Sequence, residues 1–378
     1  MAVALAGGAY LLTADPDDAE LDASIAVAEA MAGDTTGYRR ATDVRDFTFP
    51  ADHGPHPGYK TEWWYVTGNL DAEAERHIGY ELTIFRIAMT PPDEPPVRLA
   101  SADSASGWAT NQYYMAHFAL TDATGQTFYD FERFSRGAAG LAGAQASPFR
   151  VWLENWSMTG TDTGAFPMRL RAEEDEVGID VTLRPAKPPV YQGDRGLSQK
   201  GPGAGNASYY YSYTRLATDG TVRLGPDTLQ VTGQSWLDRE WSTSALGEDQ
   251  VGWDWFALQF EDGRDLMYYQ LRNRDGSPSR FSEGVLVGPD GAKTAVTRED
   301  VSLEVRDTWT TPDGQRTYPV SWRLRVPDKN LDLRVEAVMN DQELDASVRY
   351  WEGAVRIEGT ATGRGYVEMT GYGDADTF

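Results

Sequence analysis

The feature that most limits the folds open to this chain is a two-residue alternation of side-chain character that returns segment after segment. EWWYVTGNL (62–70), HIGYELTIFRI (77–87), YYMAHFAL (113–120), FRVWLENWSMTG (149–160), MRLRAEE (168–174) and GIDVTLRP (178–185) all carry it. Period two puts successive side chains on opposite faces of a strand, whereas a helix would repeat every 3.6 residues. DATG, GTDTG and EEDEVG separate the segments as turns. A second series, including TLQVTGQSWLDREW, GWDWFALQF, DLMYYQLRN, YPVSWRLRV and LDLRVEAVM, fills the rest of the chain. Short strands at this spacing predict an all-β fold of antiparallel barrels or sandwiches. The 378 residues suffice for two such units.

Between the two series lies PAKPPVYQGDRGLSQKGPGAGNAS (185–208), rich in Pro and Gly and without periodicity. It predicts a division into an N-terminal β domain over 43–190, a linker over 191–208 and a C-terminal β domain over 209–378. Residues 1–42 stand apart. PDDAELDASIAVAEAMAGDT (16–35) suits one short acidic helix. The apolar run before it is too short to span a bilayer and lacks the basic start of a signal peptide. We read it as the remnant of an export signal, which implies a periplasmic or secreted protein.

Charge and motif content narrow the function. The formal net charge is -24, with no Lys/Arg cluster of the kind nucleic acid or anionic lipid would need. There is no cysteine, hence no disulfide, thiolate metal site or cysteine nucleophile. No P-loop, strand-borne GxGxxG, HExxH or GxSxG motif is present. His53 and His56 share an HxxH spacing in a Gly/Pro loop, which is not a helical metal pair. No metal or cofactor is expected.

The densest chemistry lies in SWLDREWSTSALGEDQVGWDW (235–255), where Trp236, Trp241, Trp253 and Trp255 are threaded with carboxylates. Alternation assigns the faces. Glu62, Trp64 and Val66 share one, and Trp63, Tyr65 and Thr67 the other. Trp236, Asp238 and Glu240 lie opposite Leu237, Arg239 and Trp241. Asp254 shares a face with Phe256 and Leu258. Unpaired there, it would have a raised pKa and could donate a proton; paired to Arg239, Arg272 or a backbone amide, it would be lowered. Glu62 and His117 are either placed polar groups on aromatic walls or core groups satisfied by hydrogen bonds. Tyr268, Gln270 and Arg272 form a polar patch, either a site or an interdomain contact.

FPADHGPHPGYKTEWWYVTGNL, YYYSYTRL, GQSWLDREWS, GWDWFALQF, LMYYQLRNRDG and YWEGAVRIEG followed by GRGYVEMTGY resemble the carotenoid 1,2-hydratase (hydroxyneurosporene synthase) superfamily, in its AttH-like branch, over residues 46 to 372. The resemblance implies two lipocalin-like β domains packed together, with a pocket for a long apolar molecule in or between them. It implies isoprenoid hydration or polyene cyclisation, which needs an acid, aromatic faces to stabilise a cation, and for hydration a placed water. The hydratase pattern of Asp-His before Trp falls on Asp238–Arg239 before Trp241. Its Tyr-x-Asp falls on Tyr268–Tyr269–Gln270. Arg239 and Gln270 thus stand where the histidine and the acid are expected, and Asp254, Asp238 or Glu62 would have to supply the proton. Trp64, Tyr114, His117, Trp236, Arg239, Trp241, Trp253, Tyr268 and Gln270 are the expected substrate-binding residues. A carrier without chemistry, serving a membrane transporter, is the competing expectation. A glycan site with two acids across an open groove is the third.

Overall fold

The computed structural model describes residues 35–94, 110–244, 246–247 and 249–373. The apolar start and nearly all of the expected acidic helix lie outside them. The strands are β1 (Thr61–Asp71), β2 (His77–Ala88), β3 (Gln112–Asp122), β4 (Thr127–Arg136), β5 (Ala142–Ala146), β6 (Phe149–Leu153), β7 (Trp156–Thr161), β8 (Gly164–Glu174), β9 (Val177–Pro185), β10 (Val190–Tyr191), β11 (Leu197–Gln199), β12 (Ala207–Leu224) and β13 (Asp227–Ser242). They continue with β14 (Gln250–Phe260), β15 (Asp265–Asn273), β16 (Glu283–Val287), β17 (Lys293–Thr297), β18 (Ser302–Thr310), β19 (Thr317–Val326), β20 (Leu331–Ala337), β21 (Glu343–Leu344), β22 (Tyr350–Gly359) and β23 (Gly363–Met369). Among the described residues the only helical elements are 3₁₀ turns.

These strands form two curled antiparallel sheets, a near-barrel and a half-barrel. The near-barrel runs β4-β3-β2-β1-β13-β12-β9-β8-β7-β6-β5, with β10 and β11 added to β12. The half-barrel runs β17-β16-β15-β14-β23-β22-β20-β19-β18, with β21 on β22. The sheets do not follow the division expected from Pro and Gly content. β12 and β13 belong to the near-barrel, where β13 is hydrogen-bonded between β1 and β12. The chain crosses to the second sheet only after Ser242. Nor is 191–208 a free tether: β10 and β11 pair with β12, and Tyr191 packs on Phe47 at 4.8 Å. Its glycines supply left-handed turns, as at Gly196 with φ +97, rather than slack. The free edge of β1 needs a partner, and β13 is that partner from far along the chain.

Three apolar cores result. One fills the near-barrel, with Trp64, Val66, Leu82, Phe118, Leu237 and Trp241. Another lines the half-barrel, with Phe256, Leu258, Tyr268, Trp322 and Trp351. The third lies between the sheets, with Tyr65, Tyr210, Trp236, Trp255, Tyr269 and Tyr366. β1, β13 and β14 are therefore buried on both faces, which accounts for tryptophan on both sides of their alternation.

The sheets meet closely beside Gly79 on β2. A Cβ there would lie 2.7 Å from Ala354 Cβ and 3.3 Å from Thr121 Cβ. Gly79→Leu would wedge β2 from β22 and is expected to cost about 1–3 kcal/mol by overpacking. Urea unfolding checks this, and an unchanged midpoint would mean that the sheets are not held this close.

Candidate active site

The structure distributes the expected site residues over the three cores, and the chemistry differs in each. Inside the near-barrel, Glu62 is fully buried and bound from all sides. Arg86 and Arg239 each donate to one of its oxygens, and the His56 backbone N–H reaches both, at 2.9 and 3.0 Å. Arg239 also lies 3.9 Å from the ring centre of Trp64, and His56 stacks on Trp241 at 3.7 Å. Burial pushes the Glu62 carboxyl up, but the two guanidiniums and His56 outweigh it and hold it well below the ordinary range. Glu62 is thus an ionised structural anchor with no proton to give. Trp64, Tyr114, Arg239 and Trp241 belong to this same closed interior.

The half-barrel holds Asp254. It accepts from Arg272 Nε at 3.0 Å and from the Tyr372 hydroxyl at 2.9 Å. Burial outweighs these partners, so its pKa is raised even though it is paired. Gln270 is its neighbour across the β14–β15 ladder. Tyr268 packs in the half-barrel core, and Arg272 binds Asp254 and the carbonyl of Thr370. The expected Tyr–Gln–Arg patch is therefore internal to the second sheet and is not an interdomain contact.

The space between the sheets is different. On the near-barrel side, strand register aligns His117, Thr83, Tyr65, Asp238 and Ser212 in one row across five strands. The half-barrel presents a matching row of Glu352, Glu368, Trp255, Tyr269 and Glu283. The rows touch where the Tyr65 hydroxyl donates to Glu352 Oε1. Beside that contact Trp255 Nε1 donates at 3.2 Å to the hydroxyl of Tyr210, two residues along β12 from Ser212. Glu81, two residues along β2 from Thr83 and on the same face, lies beside Glu352 and Glu368.

Glu81 and Glu352 are both fully buried. Thr83 stands beside Glu81 but not in hydrogen-bonding geometry. Both Glu81 oxygens, Thr83 Oγ1, Glu352 Oε2 and the Tyr366 hydroxyl are buried without a partner. Burial raises both carboxyls well above the ordinary range. Glu81 adds like-charge repulsion at Glu352, Glu368 adds it at both, and no cation offsets either. Burial also pushes Glu368 up to about 7, against the hydrogen bond it accepts from Trp253 Nε1 at 2.8 Å. Asp238 is pushed up to about 7 by burial, against hydrogen bonds from Ser212 at 2.5 Å, Tyr210, and Trp236 at 2.7 Å. Four acids thus share one desolvated, aromatic-walled region, and burial biases Glu81 and Glu352 towards the protonated form.

Towards the ends of β1 and β2 that carry Trp63 and Phe85, the rings are half-buried. Trp63 and Phe85 are 6.4 Å apart and Tyr113 and Phe134 6.1 Å. Met115 and Ile87 are buried among them. A surface concavity of about 780 Å³ bordered by Arg306, Arg323, Asp332 and Arg334 touches none of these groups.

A family model described as AttH-like matches residues 40–372. The chain belongs to that family. A solved AttH homologue from Nitrosomonas europaea is 33% identical to this AttH-like chain, with a TM-score of 0.76 over 88% of this chain and 99% of that one. Kievitone hydratase from Nectria haematococca shares the fold at 14% identity and TM-score 0.63, covering 88% of this chain and 97% of its own. CghA, solved with Sch210972, does so at 12% and 0.54, covering 89% and 96%. No curated protein matches this chain in sequence.

Of the residues expected from sequence, the intersheet space of this AttH-like protein brings together Trp236, Asp238, Trp253 and His117. Glu62, Trp64, Tyr114, Arg239 and Trp241 lie behind it in the near-barrel, and Asp254, Tyr268 and Gln270 in the half-barrel. The sequence reading missed Glu81, Glu352 and Glu368. HIGYELTIFRI carries the signal: Glu81 is the one acid among its alternating residues. YWEGAVRIEG likewise places Glu352 on a face with Tyr350 and Ala354.

Proposed function

We propose that this AttH-like protein takes an elongated apolar molecule, isoprenoid- or polyketide-like, between its two sheets and protonates a carbon–carbon double bond in it. The observation that carries this reading is the pair Glu81 and Glu352: fully buried carboxyls with unpartnered oxygens, walled by tryptophan and tyrosine, with no cation beside them to hold a charge. Glu352 gives its proton to one alkene carbon and becomes a carboxylate. The carbocation formed on the other carbon is stabilised by the faces of Trp255, Tyr65 and Trp236. Water then attacks that carbon and returns a proton to the carboxylate, so H and OH add across the bond and the acid is regenerated. Alternatively a second double bond attacks and closes a ring. The half-buried rings at Trp63, Phe85, Tyr113 and Phe134 form an apolar entry. A hydratase and a protein solved with a bound small molecule, Sch210972, share this fold.

A carrier that only delivers its ligand to a membrane transporter has no use for neutral carboxyls at such a cost in desolvation, and this favours chemistry. An open two-acid glycan groove does not fit acids closed between sheets.

To test the proposal, the protein is extracted with organic solvent and the co-purified molecule identified by mass spectrometry. That molecule is then incubated with the protein in heavy-oxygen water. The expected product carries one water-derived oxygen, or is a cyclised isomer, and Glu352→Gln slows its formation about 10²–10⁴-fold. Equal turnover by both proteins would remove Glu352 from the mechanism.

A further inference from the structure

Lys200 follows β11 in the crossover and reaches the aromatic wall between the sheets. Its ammonium lies 3.8 Å from the ring centre of Tyr269 on the half-barrel side and 5.4 Å from that of Tyr210 on the near-barrel side. Both rings are held by their hydroxyls, Tyr269 by Ser198 and Glu283 at 2.9 Å each and Tyr210 by Asp238. The charge partner of Lys200 is Glu240, whose Oε1 stands 3.7 Å away, too far for a hydrogen bond. Among the described residues no hydrogen bond reaches the Lys200 ammonium or the Glu240 carboxyl. Their side chains are only 17% and 9% exposed. Ring faces attract a cation but are poor hydrogen-bond acceptors. The two charges thus face each other without the hydrogen bonds that would offset their burial. Strand register puts the pair at the end of the intersheet region where the rings are half-buried. Glu240 neighbours Trp63 across the β1–β13 ladder and Tyr210 across the β12–β13 ladder. Tyr65, whose hydroxyl meets Glu352, stands two residues along β1 from Trp63, about 7 Å of strand.

We propose that Lys200 and Glu240 bind the head of the ligand and that this head is a hydroxyl, so the substrate is an apolar chain ending in an alcohol. The inference rests on the reading that an elongated apolar molecule enters between the sheets. One oxygen about 2.8 Å from each atom spans their gap, accepting from the Lys200 ammonium and donating to the Glu240 carboxylate. A hydroxyl does both with a single atom. A carboxylate head would satisfy Lys200 but stand against Glu240, with Asp238 and Glu283 close by on the hydroxyls of the flanking tyrosines. The local charge therefore disfavours an anion. A hydrocarbon end leaves both members of the pair unmated. With the hydroxyl held here, the chain runs past Trp63 and Tyr65 towards Glu352, and the pair sets which double bond along the chain meets the acid. Lys200 and Glu240 determine specificity in this way and take no part in the proton transfer.

The test compares head groups on one chain. All-trans-retinol, the hydrocarbon that lacks its hydroxyl, and all-trans-retinoic acid are each titrated into the full chain, with quenching of tryptophan fluorescence as the readout. Lys200→Met and Glu240→Met are each expected to lower the ratio of alcohol to hydrocarbon affinity by about 10-fold, the worth of one hydrogen bond to a charged group. Both variants should still bind the hydrocarbon, which also shows that they are folded. An unchanged ratio in either variant overturns the proposal. Tighter binding of retinoic acid than of retinol by the wild type overturns it as well, because Lys200 would then be an anion anchor. Loss of hydrocarbon binding in both variants does the same, since the pair would hold the fold rather than a head group. If the wild type binds none of the three, the reading of an apolar site between the sheets fails, and this inference with it.

Discussion

Arg239→Met is expected to destabilise the protein by about 3–5 kcal/mol, because it strips one of two guanidiniums from a carboxylate that cannot reach water. Glu62 has zero exposure, and Arg86 and Arg239 each bind one of its oxygens. The loss extends beyond the ion pair. Arg239 also donates to Gly54 O at 2.6 Å and Trp63 O at 3.2 Å and lies over Trp64. Chemical denaturation of wild type, Arg239→Met and the double variant Glu62→Gln/Arg239→Met checks the cause. The double variant should regain part of the loss, because the orphaned charge is gone. A single variant within about 0.5 kcal/mol of wild type would mean that Glu62 is solvated or neutral.

The second large effect has the opposite sign. Glu81→Gln and Glu352→Gln are expected to gain stability relative to wild type as pH rises. The folded-state pKa of each carboxyl lies well above its ordinary value of 4.5. Below that value both folded and unfolded chains are protonated, and the group contributes no pH dependence. Above it the unfolded chain releases a proton that the folded chain keeps, so the wild type loses stability until the folded pKa is reached. The slope is about 1.4 kcal/mol per pH unit for each such carboxyl. The amide variants lack it. Their difference from wild type should therefore tilt by that amount per unit from about pH 4.5 towards neutrality, whatever offset the amide introduces. His53 and His77, each lowered to about 4, work in the reverse sense between their ordinary and folded values, so only the difference between variant and wild type isolates the acids. A difference flat with pH would mean that both glutamates ionise in the folded protein.

These two results express one contrast. Glu62 was legible in the sequence as an acid beside tryptophan, and so was the face it occupies. Alternation also separated Trp236, Asp238 and Glu240 from Leu237, Arg239 and Trp241, and Trp253 and Trp255 from Asp254. The cores sort them in this way. What alternation cannot supply is which faces meet. Tyr65 and Glu352 are 287 residues apart, and their contact depends on how two sheets stack. The same gap let Glu62 stand as an acid candidate, because the arginines that bind it arrive from other strands. The all-β class was legible from period two alone. The boundary between sheets was not, because proline and glycine mark tight turns and tethers alike, and β10 and β11 use them as turns.

The account rests on a protonated carboxyl pair between the sheets, and an infrared difference spectrum of wild type minus Glu352→Gln near pH 7 reads it directly. The account predicts a positive band in the carboxylic C=O region, with no matching carboxylate signal. A difference confined to the carboxylate stretches would show Glu352 ionised in the folded protein and contradict it.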